Sequence, residues 1–333
     1  MSLLEPTTAP PPLTTTMRAA VLVEPGRMTV QEVAIPEPKP GEVRVKLEGC
    51  GICASNIPPW QGRPWFQYPL APGALGHEGW GVIDQVGPGV APSRVGQRVA
   101  MLSNNAYAEY DVTSESSLLH LPQELGDQPF PGEPLGCAMN IFQRSAIQQG
   151  DTVAIVGIGF LGALLTELAS RLGARVIAIG RRAEALEHAK RNGAAVTIPM
   201  QDHGQIIEEV RQLTGGRFCD VVIEAVGKQW PLDLAGELTR ERGRLVIAGY
   251  HQDGLRQVNL QLWNWRGLDV INAHERDPAI YLQGIAAAAA AVAGGRLHPA
   301  PLYTHVLPLE ELGHGLTLTE ERPAGFMKAL IRL

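Results

Sequence analysis

The chain reads as an α/β protein in which a doubly wound parallel sheet is set inside a β-rich domain. Three observations predict this. A valine-rich stretch punctuated by Gly and Pro runs from Met17 to about Leu121. Buried strand-like runs then alternate with apolar helical runs, the pattern of a parallel sheet covered by helices. Last, residues 278–333 hold one alanine-rich helix and two strand-like runs, too little to stand alone, so this tail is expected to complete the first domain.

In the first stretch MRAAVLV, MTVQEVAI, EVRVKLEGCGIC, GWGVIDQVG and GQRVAML form strands, separated by turns such as Glu24-Pro25-Gly26 and Lys39-Pro40-Gly41. The texture changes after about Pro134. Asp151–Val156 is a buried strand, followed by a glycine-rich turn, an apolar helix over Ala163–Leu172 and a second buried strand, Arg175–Ile179. Helices near 183–192 and 230–239 alternate with strands in CDVVIEAVG, GRLVIAGY and LDVINA. LYTHVLP and FMKALIRL are the strand-like runs of the tail, and no internal repeat is present.

With 333 residues and 45% hydrophobic content the chain buries a substantial core, and its length suggests about two domains. Twenty-eight Lys and Arg against 34 Asp and Glu give a net charge of −6. That mild acidity, without a basic cluster, excludes nucleic acid or an anionic membrane surface as the main partner. Four cysteines in so long a chain do not make a disulfide scaffold and fit a reducing, cytoplasmic setting. The longest apolar run, Ile285–Ala293, is too short to span a bilayer. The N-terminus lacks the basic and apolar regions of a signal peptide, and residues 1–16, rich in Pro and Thr, read as disordered.

Gly157-x-Gly159-x-x-Gly162 follows a predicted strand and opens a helix, the context a dinucleotide fingerprint requires. The first glycine permits the tight turn, the second lets the backbone approach a pyrophosphate, and the third lets helix and strand pack closely. The N–H groups of the helix start, at Phe160 and Leu161, then face the phosphates. A site for NAD places an acidic residue at the end of the second strand, yet here Gly180-Arg181-Arg182 stands. Two guanidiniums in place of a carboxylate suit a 2′-phosphate, so NADP(H) is expected over NAD(H).

A second constellation lies in the β-rich part. Cys53, within GICASN, precedes His77-Glu78 by 24 residues, and Glu133 stands in Glu133-Pro134-Leu135-Gly136. A catalytic zinc takes three protein ligands and keeps one position open. A thiolate, an imidazole and a carboxylate meet that need, and two anionic ligands roughly neutralise the ion. Singly, Cys53 reads more readily as a small core hydrophobe, and His77 as a hydrogen-bonded histidine, than either does as a ligand. Cys50-x-x-Cys53 lacks the second ligand pair of a zinc ribbon and the setting of a redox motif, so Cys50 is expected to pack.

Taken in order, GICAS, GHEGWGVIDQVGPGV, VGQRV, GEPLGCAMN, DTVAIVGIGFLGALL, DVVIEAVG, GRLVIAG and KALIRL resemble the zinc-containing alcohol dehydrogenase branch of the medium-chain dehydrogenase/reductase superfamily, polyol and sugar dehydrogenases among them. The resemblance covers Met17 to Leu333. It implies a GroES-like catalytic domain over 17–136 plus 274–333, with a Rossmann domain inserted over 137–273. It implies hydride transfer between an alcohol or carbonyl held on zinc and a nicotinamide. By position it makes Cys53 and His77 zinc ligands, Glu78 their neighbouring acid or an alternate ligand, and Glu133 the third ligand, a place held by Glu in the polyol and sugar type. Ser55 matches the hydroxyl that bonds the substrate oxygen, and Lys328 a basic residue reaching the pyrophosphate.

The departures from that pattern carry expectations too. The lobe that holds a structural zinc is absent, since residues 98–110 read RVAMLSNNAYAEY; one catalytic zinc per chain is expected. Asn56 replaces a customary Asp, and Pro58 stands where many members place a relay His. The proton must then leave through Ser55, the ribose hydroxyls or water. Trp60, Trp65, Phe66 and Tyr68 lie where the family builds its substrate wall, with Trp263, Trp265 and His274 as further candidates. The expected substrate is a small molecule: a secondary alcohol, polyol or sugar. Rival readings are a zinc-free quinone or enone reductase and a non-catalytic NADP(H)-binding protein. GRLVIAGY and LDVINA are expected at a sheet edge, which invites a homodimer or homotetramer.

Overall fold

The computed structural model describes residues 15–333. Most of the segment 1–16 therefore lies outside the described residues, but Thr16 already begins a strand and pairs with Ala34. Seven strands lead the chain: β1 (Thr16–Glu24), β2 (Arg27–Ala34), β3 (Glu42–Gly51), β4 (Gly79–Val86), β5 (Arg98–Met101), β6 (Tyr110–Ser114) and β7 (Leu118–His120). The inserted sheet contains β8 (Thr152–Val156), β9 (Arg175–Gly180), β10 (Val196–Pro199), β11 (Cys219–Glu224), β12 (Thr239–Ile247) and β13 (Asp269–Asn272). The chain closes with β14 (Tyr303–Pro308) and β15 (Lys328–Arg332). Residues 110–114, 118–120 and 196–199, unassigned from sequence, are thus strands; their runs are short and half-buried, which leaves little hydrophobic periodicity to detect.

The second sheet is wholly parallel in the order β10-β9-β8-β11-β12-β13. Its strands are buried on both faces: Val153, Ala154, Ile155 and Val156 of β8, and Val176 to Ile179 of β9, have no exposed surface. That is why they read as continuous apolar runs. The order reverses between β8 and β11, and at that switch point ligands of such sheets bind.

The first sheet runs β14-β15-β3-β4-β5-β7, with β6 also on β3. Here β15 inserts between β14 and β3, Leu330 opposite Gly51 and Ile331 opposite Cys50. The tail thus supplies an edge strand, β14, and an interior strand, β15, to a sheet begun some 280 residues earlier. Two helices, Gly132–Ser145 and Pro278–Ala293, join the halves. They approach closely because a Cβ on Gly136 would lie 2.7 Å from Ile285 Cγ1 and one on Gly284 2.5 Å from Asn140 Oδ1. Among the described residues no helix is long and apolar enough to cross a membrane.

At the glycine turn each residue has a different reason to be glycine. Gly157 takes φ +107°, a left-handed conformation, and a Cβ there would meet Val226 at 2.4 Å. Gly159 has open space before it, whereas a Cβ on Gly162 would fall 1.9 Å from the Gly157 carbonyl. Gly162→Ala is therefore expected to lower stability by about 1–3 kcal/mol through overpacking, read as a shifted urea midpoint, while Gly159→Ala leaves that midpoint nearly unchanged.

Candidate active site

Strand register brings the metal-ligand candidates together. Cys50 pairs with Gly79 across β3 and β4, so residues 52–78 form an excursion from the open end of that pair. Cys53 follows the end of β3 and His77-Glu78 precede β4. Ligand atoms of Cys53, His77 and Glu78 all lie within 4.8 Å of one another. Gly51 is what admits the carboxylate, since a Cβ there would sit 1.8 Å from Glu78 Oε2.

His77 is oriented by the backbone. Its Nδ1 donates to the Leu75 carbonyl at 2.9 Å, so Nε2 faces the cluster, 3.5 Å from Ser55 Oγ. Leu75 holds a left-handed φ of +76° to present that carbonyl, which also accepts from Asn56 Nδ2 at 3.1 Å. Asn56 Oδ1 in turn accepts from the buried Tyr107 hydroxyl at 2.8 Å. Asn56 thus does by amide what an Asp cannot, donating to one carbonyl and accepting from one phenol. The Cys53 sulfur accepts from the Ser55 N–H.

The groups around His77 bear on its charge. Burial works against the His77 imidazolium, but the hydrogen-bonded Cys53 and the charges of Glu133 and Glu78 outweigh it and push His77 up to about 10. Glu78 is fully buried. Its Oε1 accepts from Lys328 Nζ at 2.7 Å, while Oε2, 2.6 Å from the same nitrogen, is misaligned and left without a hydrogen bond.

Glu133 comes from the first turn of the helix Gly132–Ser145. Burial raises its carboxyl and His77 opposes that shift; the Cys137 thiol, one turn on, donates to its Oε1 at 3.1 Å. Glu133 stands outside the tight trio but within its field. Tyr281 also faces this side, its phenol raised by burial and then by the charges of Cys137 and Glu133. Nothing in the sequence pointed to Cys137, Tyr107 or Tyr281, because each is defined by a partner far along the chain.

Other expectations resolve differently. The resemblance sends Lys328 to a pyrophosphate, but its ammonium is buried, held by Glu78 and donating to the Ile52 carbonyl at 3.0 Å. Arg182 donates to the Phe326 carbonyl and approaches Met327 Sδ at 3.5 Å, so one of the two arginines at Gly180 serves the contact between domains. Arg181 is exposed. Trp60 is packed on the core, Trp65 and Phe66 meet at a 43° tilt with centroids 6.0 Å apart, and the Tyr68 hydroxyl donates to the Pro59 carbonyl. Trp263 packs on the parallel sheet, Trp265 is 85% exposed, and His274 stacks on Tyr250.

Across the cleft, the helix Phe160–Leu172 starts at Gly159 with no side-chain cap, leaving its first N–H groups free for an anion. At the end of β11, Glu224 accepts from the Val226 and Gly227 N–H groups at 2.8 Å and from His251 Nε2 at 3.1 Å. The neighbouring Gln252 reaches over to the Ala54 carbonyl at 3.2 Å.

Comparison with known proteins places this geometry in a family. The family descriptions "Alcohol dehydrogenase GroES-like domain" and "Zinc-binding dehydrogenase" match residues 39–132 and 161–288. A sorbitol dehydrogenase of Halalkalibacterium halodurans is 30% identical over 289 residues, 76% of this chain and 82% of that protein. A zinc-binding dehydrogenase from Sinorhizobium meliloti, solved bound to NADP, superposes with TM-score 0.83 at 26% identity, covering 96% of this chain and all of that one. An alcohol dehydrogenase from Escherichia coli, complexed with NADH, does so with TM-score 0.83 at 25% identity over 96% of this chain and all of that one. The chain belongs to the zinc-type medium-chain dehydrogenase/reductase family. It is an NAD(P)-dependent alcohol dehydrogenase/reductase.

Lys328→Met strands the Glu78 carboxylate in the interior and is expected to lower stability by about 3–5 kcal/mol in urea unfolding. The double variant Lys328→Met/Glu78→Gln is expected to be less destabilised than Lys328→Met alone.

Proposed function

We propose that the chain holds one zinc ion through Cys53, His77 and a carboxylate, and exchanges hydride between NADP(H) and a secondary alcohol, polyol or sugar carbonyl. The observation that carries the metal assignment is the trio within 4.8 Å, Cys53 and His77 half-buried and Glu78 fully so, with Glu78 Oε2 beside Lys328 Nζ yet accepting no hydrogen bond. Glu78 is the carboxylate of the trio; Glu133, held by Cys137, is the second carboxylate flanking it. Soft sulfur, nitrogen and carboxylate oxygen form a donor set that suits zinc. Once bound, the metal supplies Lewis acidity at the substrate oxygen, and the nicotinamide supplies or takes the hydride.

The protein's own groups do the rest. Ser55 Oγ, beside His77 Nε2, takes the hydroxyl proton in oxidation and returns it in reduction. With Pro58 buried in the helix Ile57–Trp60, no imidazole continues the path there, so the proton passes to ribose hydroxyls or water. Likeness to a sorbitol dehydrogenase supports the polyol class. Arg181, beside Gly180, is the expected donor to a 2′-phosphate, with Arg182 holding the strand end in place.

Purified protein is expected to hold about one zinc per chain by metal analysis. Cys53→Ser should weaken zinc binding more than about tenfold and abolish turnover; unchanged zinc content and turnover would refute the metal assignment. NADPH should bind about tenfold or more tightly than NADH, as loss of a charged hydrogen bond implies.

We also infer that the chain forms a homodimer through the β13 edge. Leu255, Val258, Leu260 and Trp265 are exposed on the connection that leads into that strand, an apolar patch beside unpaired backbone. Sedimentation should show at least a dimer, and Leu260→Asp with Trp265→Asp should yield monomers of unchanged circular dichroism.

A further inference from the structure

The connection after β12 is braced as an arm, and its tip crosses to the other domain. Glu224, buried at the end of β11, accepts the N–H groups of Val226 and Gly227 on its carboxylate and those of Ala248 and Gly249 on its backbone carbonyl. One residue thus fastens the turn after β11 to the turn after β12. Two glycines let these turns meet: a Cβ on Gly249 would lie 2.2 Å from the Gly227 nitrogen, and one on Gly227 2.6 Å from the Tyr250 carbonyl oxygen. His251 Nε2 donates to the Glu224 carboxylate at 3.1 Å, while its Nδ1 accepts from Arg256 Nε at 2.9 Å. Arg256 also donates to the Gly227 carbonyl at 2.8 Å and pairs with Asp253, to which Lys228 is paired as well.

Between His251 and Asp253 stands Gln252. Its two neighbours are bound within the arm, but its own Nε2 donates across the cleft to the Ala54 carbonyl at 3.2 Å. Ala54 begins the short turn Ala54–Asn56, which carries much of the site. Cys53 caps that turn, its sulfur accepting from the Ser55 N–H, and Ser55 Oγ stands 3.5 Å from His77 Nε2. Asn56 holds the Leu75 carbonyl to which His77 is also bound. Within the turn the Ala54 carbonyl accepts from the Ile57 N–H, and its second lone pair is what Gln252 takes. Pro58 and Pro59 come next and have no N–H with which to extend the turn's hydrogen bonds. The turn is therefore lightly held from its own side of the cleft and gripped from the other.

We propose that Gln252 is a positioning residue for hydride transfer: its hydrogen bond to the Ala54 carbonyl sets how closely the turn bearing Cys53 and Ser55 approaches the switch point of the parallel sheet. This rests on the dehydrogenase reading above and adds to it a residue that acts through the backbone of the turn, not on the reacting atoms. The bracing of the arm by Glu224, His251 and Arg256 is what gives one hydrogen bond this authority, because a displacement of about 1 Å between reacting groups costs about a hundredfold in rate. A neutral amide also suits the place. It holds the carbonyl without adding a charge beside the Cys53 sulfur and the His77 ring.

Gln252→Leu keeps the bulk and removes the donor; Gln252→Glu keeps the shape and sets a carboxylate against the carbonyl. Both are compared with wild type for zinc content, thermal midpoint and cofactor affinity by nicotinamide fluorescence. Oxidation of sorbitol and of butane-2,3-diol gives kcat and KM, and the diol deuterated at both carbinol carbons gives the isotope effect on kcat. Hydrogen exchange at the Ser55, Asn56 and Ile57 amides reads the turn without any turnover. In both variants zinc content, midpoint, cofactor affinity and KM are expected to stay near wild type, while kcat falls at least about tenfold. The isotope effect should rise as the hydride step comes to limit turnover, and exchange at these amides should quicken. Unchanged kcat in Gln252→Leu overturns the proposal, as does a fall in kcat that follows lost zinc or a lowered midpoint with no rise in the isotope effect. Should Cys53→Ser keep turnover while Gln252→Leu loses it, the metal assignment fails and the role of Gln252 stands. Should wild type oxidise neither compound, the polyol reading fails, and the hold of Gln252 on the turn stands with faster exchange in the variants and falls with unchanged exchange.

Discussion

A carboxylate without exposed surface, set beside a cysteine sulfur and an imidazole, needs a cation within reach, and Glu78 finds it in Lys328. Lys328 opens β15, the last strand. Its hydrogen bond to the Ile52 carbonyl, and that of Ile52 N–H to Ala329, fasten the chain's end to the residues just before Cys53. The site thus depends on a closure between segments about 250 residues apart. The sheet order β15-β3-β4 serves this closure, since it places the ends of three strands around one buried pair.

Around that pair the supporting contacts are arranged in depth. Leu75 and Asn56 fix the His77 ring, Tyr107 fixes Asn56, and Gly51 clears the volume that Glu78 fills. Each contact spends conformational freedom or local strain, as at Leu75, to hold a donor atom in one orientation. The inserted domain contributes differently. Its glycine turn and uncapped helix present backbone donors at the switch point of the sheet, while Gln252 and Arg182 bridge to the other half at either end of the cleft.

Much of this was legible in the sequence because the signals are local. Strands β8 and β9 are continuous apolar runs, the glycine spacing lies within six residues, and Cys53, His77 and Glu78 flank two recognisable strands. Strand β12 begins four residues before GRLVIAGY, through Arg242 in a left-handed conformation, which no periodicity could announce. The short strands β6, β7 and β10 escaped for want of a burial pattern. Arg182 and Lys328 were visible as basic residues near a phosphate site, yet their charges are directed elsewhere.

What the amino-acid order determined by itself is therefore the inventory: two kinds of sheet, a dinucleotide turn, and one thiol, one imidazole and two carboxylates suited to a metal. Those follow from periodicity and residue chemistry within short windows. Tertiary structure decided the allocation. It selected Glu78 over Glu133 for the close trio, gave Lys328 to Glu78 and turned Arg182 into a strut. Charge pairing in a buried cleft acts over a few ångströms, and only the folded chain defines which distant residues come within that range.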